Sequence, residues 1–266
     1  MMLLSYWPGA SLTLDPRLSS RWIINIAFLG SVISLPVPRP SFLITEDPQI
    51  YCPVPPPLAV IVENILPLAN IKTHLSRGLQ HSSALVQHCT ALALCKCLTK
   101  FGEVVQALTE VRQILQEDDS GLWSLRLQEV EKEVTRRVPE FQVVVAFTQQ
   151  KSITHNETKT GGTEAARNST KLALLTESAQ RLLWLYHRHL PQVVAEARFD
   201  ATKLLLSVHN TGTGDFVGGI ERLCQLHTLR LLNENEDVSI LGKTGMSSLT
   251  RSFTGADRHQ GPSGEI

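Results

Sequence analysis

Apolar residues recur along this chain at intervals of three and four, the period of a helix face, and nowhere alternate with polar ones long enough to build a sheet. Trp22, Ile26, Leu29 and Ile33 stand at offsets 0, 4, 7 and 11, and Pro36 ends the stripe, which predicts an amphipathic helix. Leu58, Ile61, Ile65 and Leu68 mark a second helix that Pro67 must kink or stop, and a short helix follows from Ile71 to Leu79. Ser83 opens SALVQHCTALALCKCLTK, where Lys96 is the only formal charge before Lys100. A helix apolar on nearly every face belongs in the middle of a pack. The next segment is one-sided: Phe101, Val104, Val105, Leu108, Val111 and Leu115 oppose Glu103, Gln106, Glu110 and Gln113, the pattern of an outer helix.

Asp119 or Ser120 is the expected cap of a helix whose Trp123, Leu127, Val130, Val134 and Val138 keep the same period. Pro139 stops it. PEFQVVVAFTQQK has β-branched residues at Val143 to Val145 and strand propensity, but a lone short strand lacks a backbone partner and Pro139 suits a first helical turn. Helix is therefore predicted. Ser152 to Thr170 is polar and contains Gly161 and Gly162, so it reads as a flexible insertion. Helical spacing returns with Leu172, Leu175, Ala179, Leu182, Leu183, Tyr186 and Leu190, breaks at Pro191, and continues more weakly from Phe199 to Val208. After the glycine-rich stretch Gly212 to Gly219, a last helix is predicted from Ile220 to Leu232.

These elements make the fold class all-α, an armadillo- or HEAT-like solenoid in which a sandwiched helix has one-sided neighbours. No motif repeats at a fixed period, so a compact bundle is the competing arrangement. The expected organisation is a helical block over 14–151, the polar insertion over 152–170, a second helical block over 171–233 and a disordered tail over 234–266. Between Pro36 and Pro57, repeated prolines withhold amide donors and enforce an extended connector.

Composition narrows the function classes. Twenty-five basic residues balance twenty-five acidic ones, so no global field favours a phosphate backbone or an anionic membrane. Five cysteines among 266 residues are too few and odd in number for a disulfide scaffold, which points to nucleus or cytosol. The uncharged run from Trp22 to Val37 follows Arg17 and Arg21 and raises a secretory signal or anchor as the rival to a packed helix. Asn25, Gly30, Ser31, Ser34 and Pro36 interrupt it, leaving no full membrane span. The sequons at Asn156 and Asn168 would carry glycans only on a secreted chain.

Candidate chemistry is sparse. His81, His88, Cys89, Cys95 and Cys97 cluster in sequence, but Cys95 and Cys97 would point about 200° apart on a helix, and one zinc ion cannot take both. No metal and no cofactor is expected. LGKTGMS, Leu241 to Ser247, holds G-K-T, but Asp237 occupies the place of the first phosphate-loop glycine. RLLWLYHRHL places Arg181, Trp184, His187, Arg188 and His189 together as a candidate RNA or partner contact. The competing reading makes them helix-end cations favoured by the macrodipole, with Trp184 and Tyr186 flanking the apolar stripe. With no nucleophile elbow or H-E-x-x-H pattern, the chain is not expected to be an enzyme or to take a small-molecule substrate.

Four segments together resemble the nucleolar pre-ribosomal-associated protein family: PRLSSRWIINIAFL (Pro16 to Leu29), GLQHSSALVQHCTALALCKCLTKFGEVV (Gly78 to Val105), VPEFQVVVAFTQQ (Val138 to Gln150) and LLWLYHRHLPQVVAEARFDATKLL (Leu182 to Leu205). Their order carries the likeness, which extends from about Leu14 to Asn235 and includes a polar insertion between two helical blocks. The resemblance implies a nucleolar, non-catalytic scaffold in large (60S) ribosomal subunit biogenesis, supporting precursor-rRNA compaction and processing. It implies pre-60S assembly factors, pre-rRNA and snoRNPs as partners, and no membrane. Family members are far longer, so the chain is expected to be a fragment, a splice form or an incomplete gene model of the amino-terminal repeat domain, and poorly soluble alone. If the likeness is accidental, the same periodicity implies a generic armadillo-like protein-binding adaptor in transport or signalling.

Overall fold

The computed structural model describes residues 13–44, 47, 49–155, 163–197 and 218–234; the side chains of 150–169 are not among them. Nine α-helices lie among the described residues: α1 (Ser20–Ile33), α2 (Leu58–Ile65), α3 (Ile71–Leu79), α4 (Ala84–Ile114), α5 (Leu122–Arg137), α6 (Phe141–His155), α7 (Thr163–His189), α8 (Pro191–Glu196) and α9 (Gly219–Glu234). Beyond these, the described residues hold a short 3-10 turn, Arg39–Phe42, and one isolated antiparallel bridge between Leu43 and Tyr51. No described helix is long and apolar enough to cross a membrane.

The stripe on α1 behaves as its spacing requires. Ser19 Oγ accepts the Trp22 amide at 3.3 Å and starts the helix, and Trp22, Ile26, Leu29 and Ile33 are all buried. Their partner is α4. At the far end, the buried ammonium of Lys100 donates to the Leu35 carbonyl and, at 2.7 Å, to Glu103, placing a cation where the α1 dipole ends.

Each early helix stacks on the third helix after it: α1 on α4, α2 on α5, α3 on α6 and α4 on α7. A period of three helices is what stacked three-helix repeats produce, and it makes the arrangement solenoid-like. The apolar surfaces merge into one core from Leu14 to Leu231, with α4 touching α1, α2, α3, α5 and α7.

Three expectations need correction. The two segments expected on either side of Lys100 form a single 31-residue helix, α4, about 46 Å long at the standard rise. No proline interrupts Thr99 to Phe101, so the backbone ladder runs on while the packing changes from all-round to one-sided. The cap of α5 is neither Asp119 nor Ser120. Gly121 takes the N-cap position and Glu117 Oε2 accepts the Trp123 amide at 2.9 Å, after Gln116 (φ 53°) turns the chain back through the left-handed region. The polar stretch from 152 to 170 is largely helical where described, because α6 runs to His155 and α7 begins at Thr163. The sequence TEAAR supplies strong helix formers there, which outweigh its lack of large apolar groups.

The predicted helix over Pro139 to Lys151 forms as α6, with Phe141, Val144 and Phe147 buried. Pro191 separates α7 from α8 as its missing amide demands. Asn156, the segment from Phe199 to Val208, LGKTGMS and the tail beyond Glu234 lie outside the described residues.

Candidate partner-binding site

The long helix α7 is gripped by α4, α6 and α9, so the five candidate contact residues near its end face different surroundings. His187 is buried and meets the Phe141 ring edge-on at 5.9 Å. His189, two residues on, turns toward α4, with its ring edge-on to Phe101 at 6.2 Å and packed over Gly102. A Cβ at Gly102 would stand 2.3 Å from His189 Cε1, so the bare glycine is what lets α4 and α7 approach there. Between the two histidines, Arg188 is half exposed and reaches Glu234 of α9 at 3.6 Å. Arg181 is partly buried near Glu177, whose carboxyl its charge helps hold down.

Trp184 is the centre of the arrangement. The His227 ring of α9 stacks on it at 5.9 Å with 25° between planes, and the guanidiniums of Arg230 and Arg188 lie 4.7 and 5.7 Å from its centroid. His227 Nε2 in turn donates to Glu177 Oε1 at 3.1 Å, and that bond holds the Glu177 carboxyl below its ordinary range. Trp184 Nε1, His227 Nδ1 and, on the same face of α7, Gln180 Oε1 are buried without hydrogen-bond partners among the described residues. The inner side of α9 is therefore mixed: His227 and Thr228 are buried beside Leu231, whereas Leu223, Leu226 and Leu229 face outward.

A cleft of about 560 Å³ opens between α4, α7 and α9. Thr99, Glu103 and Gln106 form one wall, and Trp184, Arg188 and Arg230 form the other. Of the expected contact residues, the structure brings Trp184, Arg188 and His189 to this cleft and sends His187 inward. Sequence spacing within α7 alone did not reveal Glu177, His227, Arg230 or Glu234, which come from another turn or from α9. The available signal was LCQLHTLRLL itself, where a helix places leucines at three-residue intervals beside arginine.

Nucleophiles near this region are held inert. Burial pushes the Cys95 and Cys97 thiols up to about 12 and Cys224 up to about 11. Ser178 Oγ lies 3.4 Å from His88 Nδ1, but it is fully buried and already donates to the Leu174 and Leu175 carbonyl region. The described residues contain no group of three or more His, Cys, Asp or Glu side chains arranged to hold a metal ion. His81, from the cysteine-histidine cluster, instead accepts the Ser83 amide at 2.9 Å.

Burial draws the His187 imidazole down to about 4; His189 is drawn to about 4 by burial first and the Arg188 charge second. As pH falls below about 6.5, the unfolded chain takes up these protons before the folded one does, so stability drops toward pH 4 and is fully present above pH 6.5. Both rings keep some solvent contact, which discounts the linkage to about 2–3 kcal/mol for the pair. Urea unfolding at steps from pH 7.5 to 4.5 should show a falling midpoint, and a His187→Phe, His189→Phe variant should lose most of that slope. Equal slopes in the two proteins would contradict the assignment.

Two curated relatives match this chain. Nucleolar pre-ribosomal-associated protein 1 of Homo sapiens is 25% identical over 227 residues, covering 78% of this chain and 10% of the human protein. The protein of the same name from Mus musculus is 24% identical over 230 residues, again with 78% of this chain and 10% of the relative covered. The relationship is distant. This chain spans about a tenth of the length of these relatives. No protein-family model matches the chain, and no solved structure does.

Proposed function

We propose that the chain is a non-catalytic helical scaffold in ribosome biogenesis, acting in the nucleolus on early precursors of the large subunit. The observation that carries this reading is the match to two nucleolar pre-ribosomal-associated proteins over 78% of the chain. The three-helix stacking supports it, since an extended array offers many side chains to several partners at once. Its mechanism is multivalent holding. Assembly factors and segments of pre-rRNA or snoRNPs docked on one body meet at raised effective concentration, which favours compaction without any covalent step.

A fluorescent fusion of the chain, expressed in cells, is expected to concentrate in nucleoli, and affinity capture from them is expected to recover large-subunit assembly factors and precursor rRNA. Diffuse cytosolic fluorescence with only transport or signalling partners recovered would replace the reading with a generic adaptor.

A further inference from the structure

We propose that the outer rim of α9, together with the cleft it shares with α4 and α7, docks an acidic, leucine-bearing peptide segment of a partner protein. The inference rests on the reading of the chain as a docking platform, and not on the cellular process that platform serves.

The first observation is the polarity of α9. Leu223, Leu226 and Leu229 are 46, 40 and 53% exposed at three-residue spacing, while the buried side of the helix carries His227, Thr228 and Leu231. Single exposed leucines are ordinary, but three along one helix flank make a patch that a partner side chain can cover. Leu229 and Arg230 also line the cleft, so patch and cleft are one surface.

Charge selects the partner. Of the cleft carboxylates, Glu103 is matched by Lys100 at 2.7 Å and Glu234 by Arg188 at 3.6 Å. Arg230 has no carboxylate partner among the described residues, and neither has the exposed Arg222 one turn from Leu226. Set against the exposed Glu221 of the same helix, Arg222 and Arg230 leave the rim one positive charge in surplus next to the leucines. Trp184 holds Arg230 and Arg188 through its ring, a contact that consumes none of their N–H donors, although Arg188 also faces Glu234. Such pre-positioned guanidinium forks suit carboxylates, which they can grip with two bonds.

An RNA strand fits less well. Both Trp184 and its surroundings are occupied by the His227 stack and the two arginines, which leaves no free aromatic face for a base. A phosphate chain running through the cleft would also leave the leucines uncovered.

The test is selection of a displayed library of random 16-residue peptides on the immobilised full chain, with a fluorescent 20-nucleotide oligouridylate titrated in parallel. Selected peptides are expected to carry acidic residues interleaved with leucine, isoleucine or phenylalanine. A synthetic copy of the most enriched one should lose at least tenfold in affinity to an Arg188→Ala, Arg230→Ala variant and to Leu226→Gln. It should change less than twofold with Arg136→Ala, an exposed α5 position. Helical circular dichroism and an unchanged unfolding midpoint establish that each variant is folded. No enrichment, enrichment without acidic residues, or affinity indifferent to the arginine pair overturns the proposal; oligouridylate binding abolished by the same pair overturns it in favour of RNA. Peptide capture persisting in a chain that stays out of nucleoli would leave this inference standing and remove the nucleolar one.

Discussion

Trp123→Ala is expected to lower folding stability by about 3–5 kcal/mol, the range for emptying a buried aromatic site. Trp123 is fully buried at the start of α5 and meets the Phe42 ring edge-on at 5.6 Å. Its Nε1 donates to the Cys52 carbonyl at 3.1 Å. The indole thus fastens both arms of the proline-rich connector, which the Leu43–Tyr51 bridge holds together, to the helical stack. Alanine removes packing and hydrogen bond together. Trp123→Phe keeps most of the apolar volume but strands the Cys52 carbonyl, so its loss should be smaller, about 1–3 kcal/mol. Urea unfolding followed at 222 nm measures both. A cost below 1 kcal/mol for the alanine variant would mean that the connector does not depend on this anchor.

Local pattern carried the helices well because each buried face is written within its own segment. Trp22, Ile26, Leu29 and Ile33 show their partner's side by spacing alone, and the one-sided half of α4 reads correctly from Val104 to Val111. What local pattern cannot contain is contact between segments. Nothing near Trp123 announces that Glu117 will reach its amide, because that requires Gln116 to turn the chain first. The three-helix period was equally hidden. Its units differ in connector length, from the proline-rich stretch after α1 to the one-residue link between α7 and α8, so no fixed sequence interval marks them.

The candidate site was half legible for the same reason. RLLWLYHRHL displays cations and aromatics together, yet their roles are assigned by neighbours: Phe141 takes His187, Phe101 and Gly102 take His189, and α9 brings His227 and Arg230 to Trp184. A composition that suggests nucleic-acid contact becomes, once packed, one inward histidine, one histidine laid against α4 and one tryptophan loaded with cations. Burial thereby turns the more basic-looking part of the sequence into a surface whose free charge is mainly that of Arg230, Arg222 and Glu221 on α9.

Gly78→Ala is expected to cost about 2–4 kcal/mol, at or above the usual range for overpacking a tight contact. Gly78 lies near the end of α3, where that helix crosses α4, and an added Cβ would fall 2.3 Å from Thr90 Oγ1, 2.7 Å from its Cγ2 and 2.9 Å from its Cβ. Thr90 cannot simply swing away: it is buried, and its hydroxyl donates to the Val86 carbonyl at 2.7 Å. Because even the Thr90 Cβ is too near, the two helices must separate or slide. α3 also touches α6, so the displacement would pass to a second interface. Thr90→Ala removes the two nearest obstructing atoms but leaves the third. The double variant Gly78→Ala, Thr90→Ala should therefore recover part of the lost stability relative to Gly78→Ala alone, a favourable coupling measurable by a double-mutant cycle in urea. Strictly additive losses would show that the α3–α4 crossing yields at no cost and that close approach at Gly78 does not govern it.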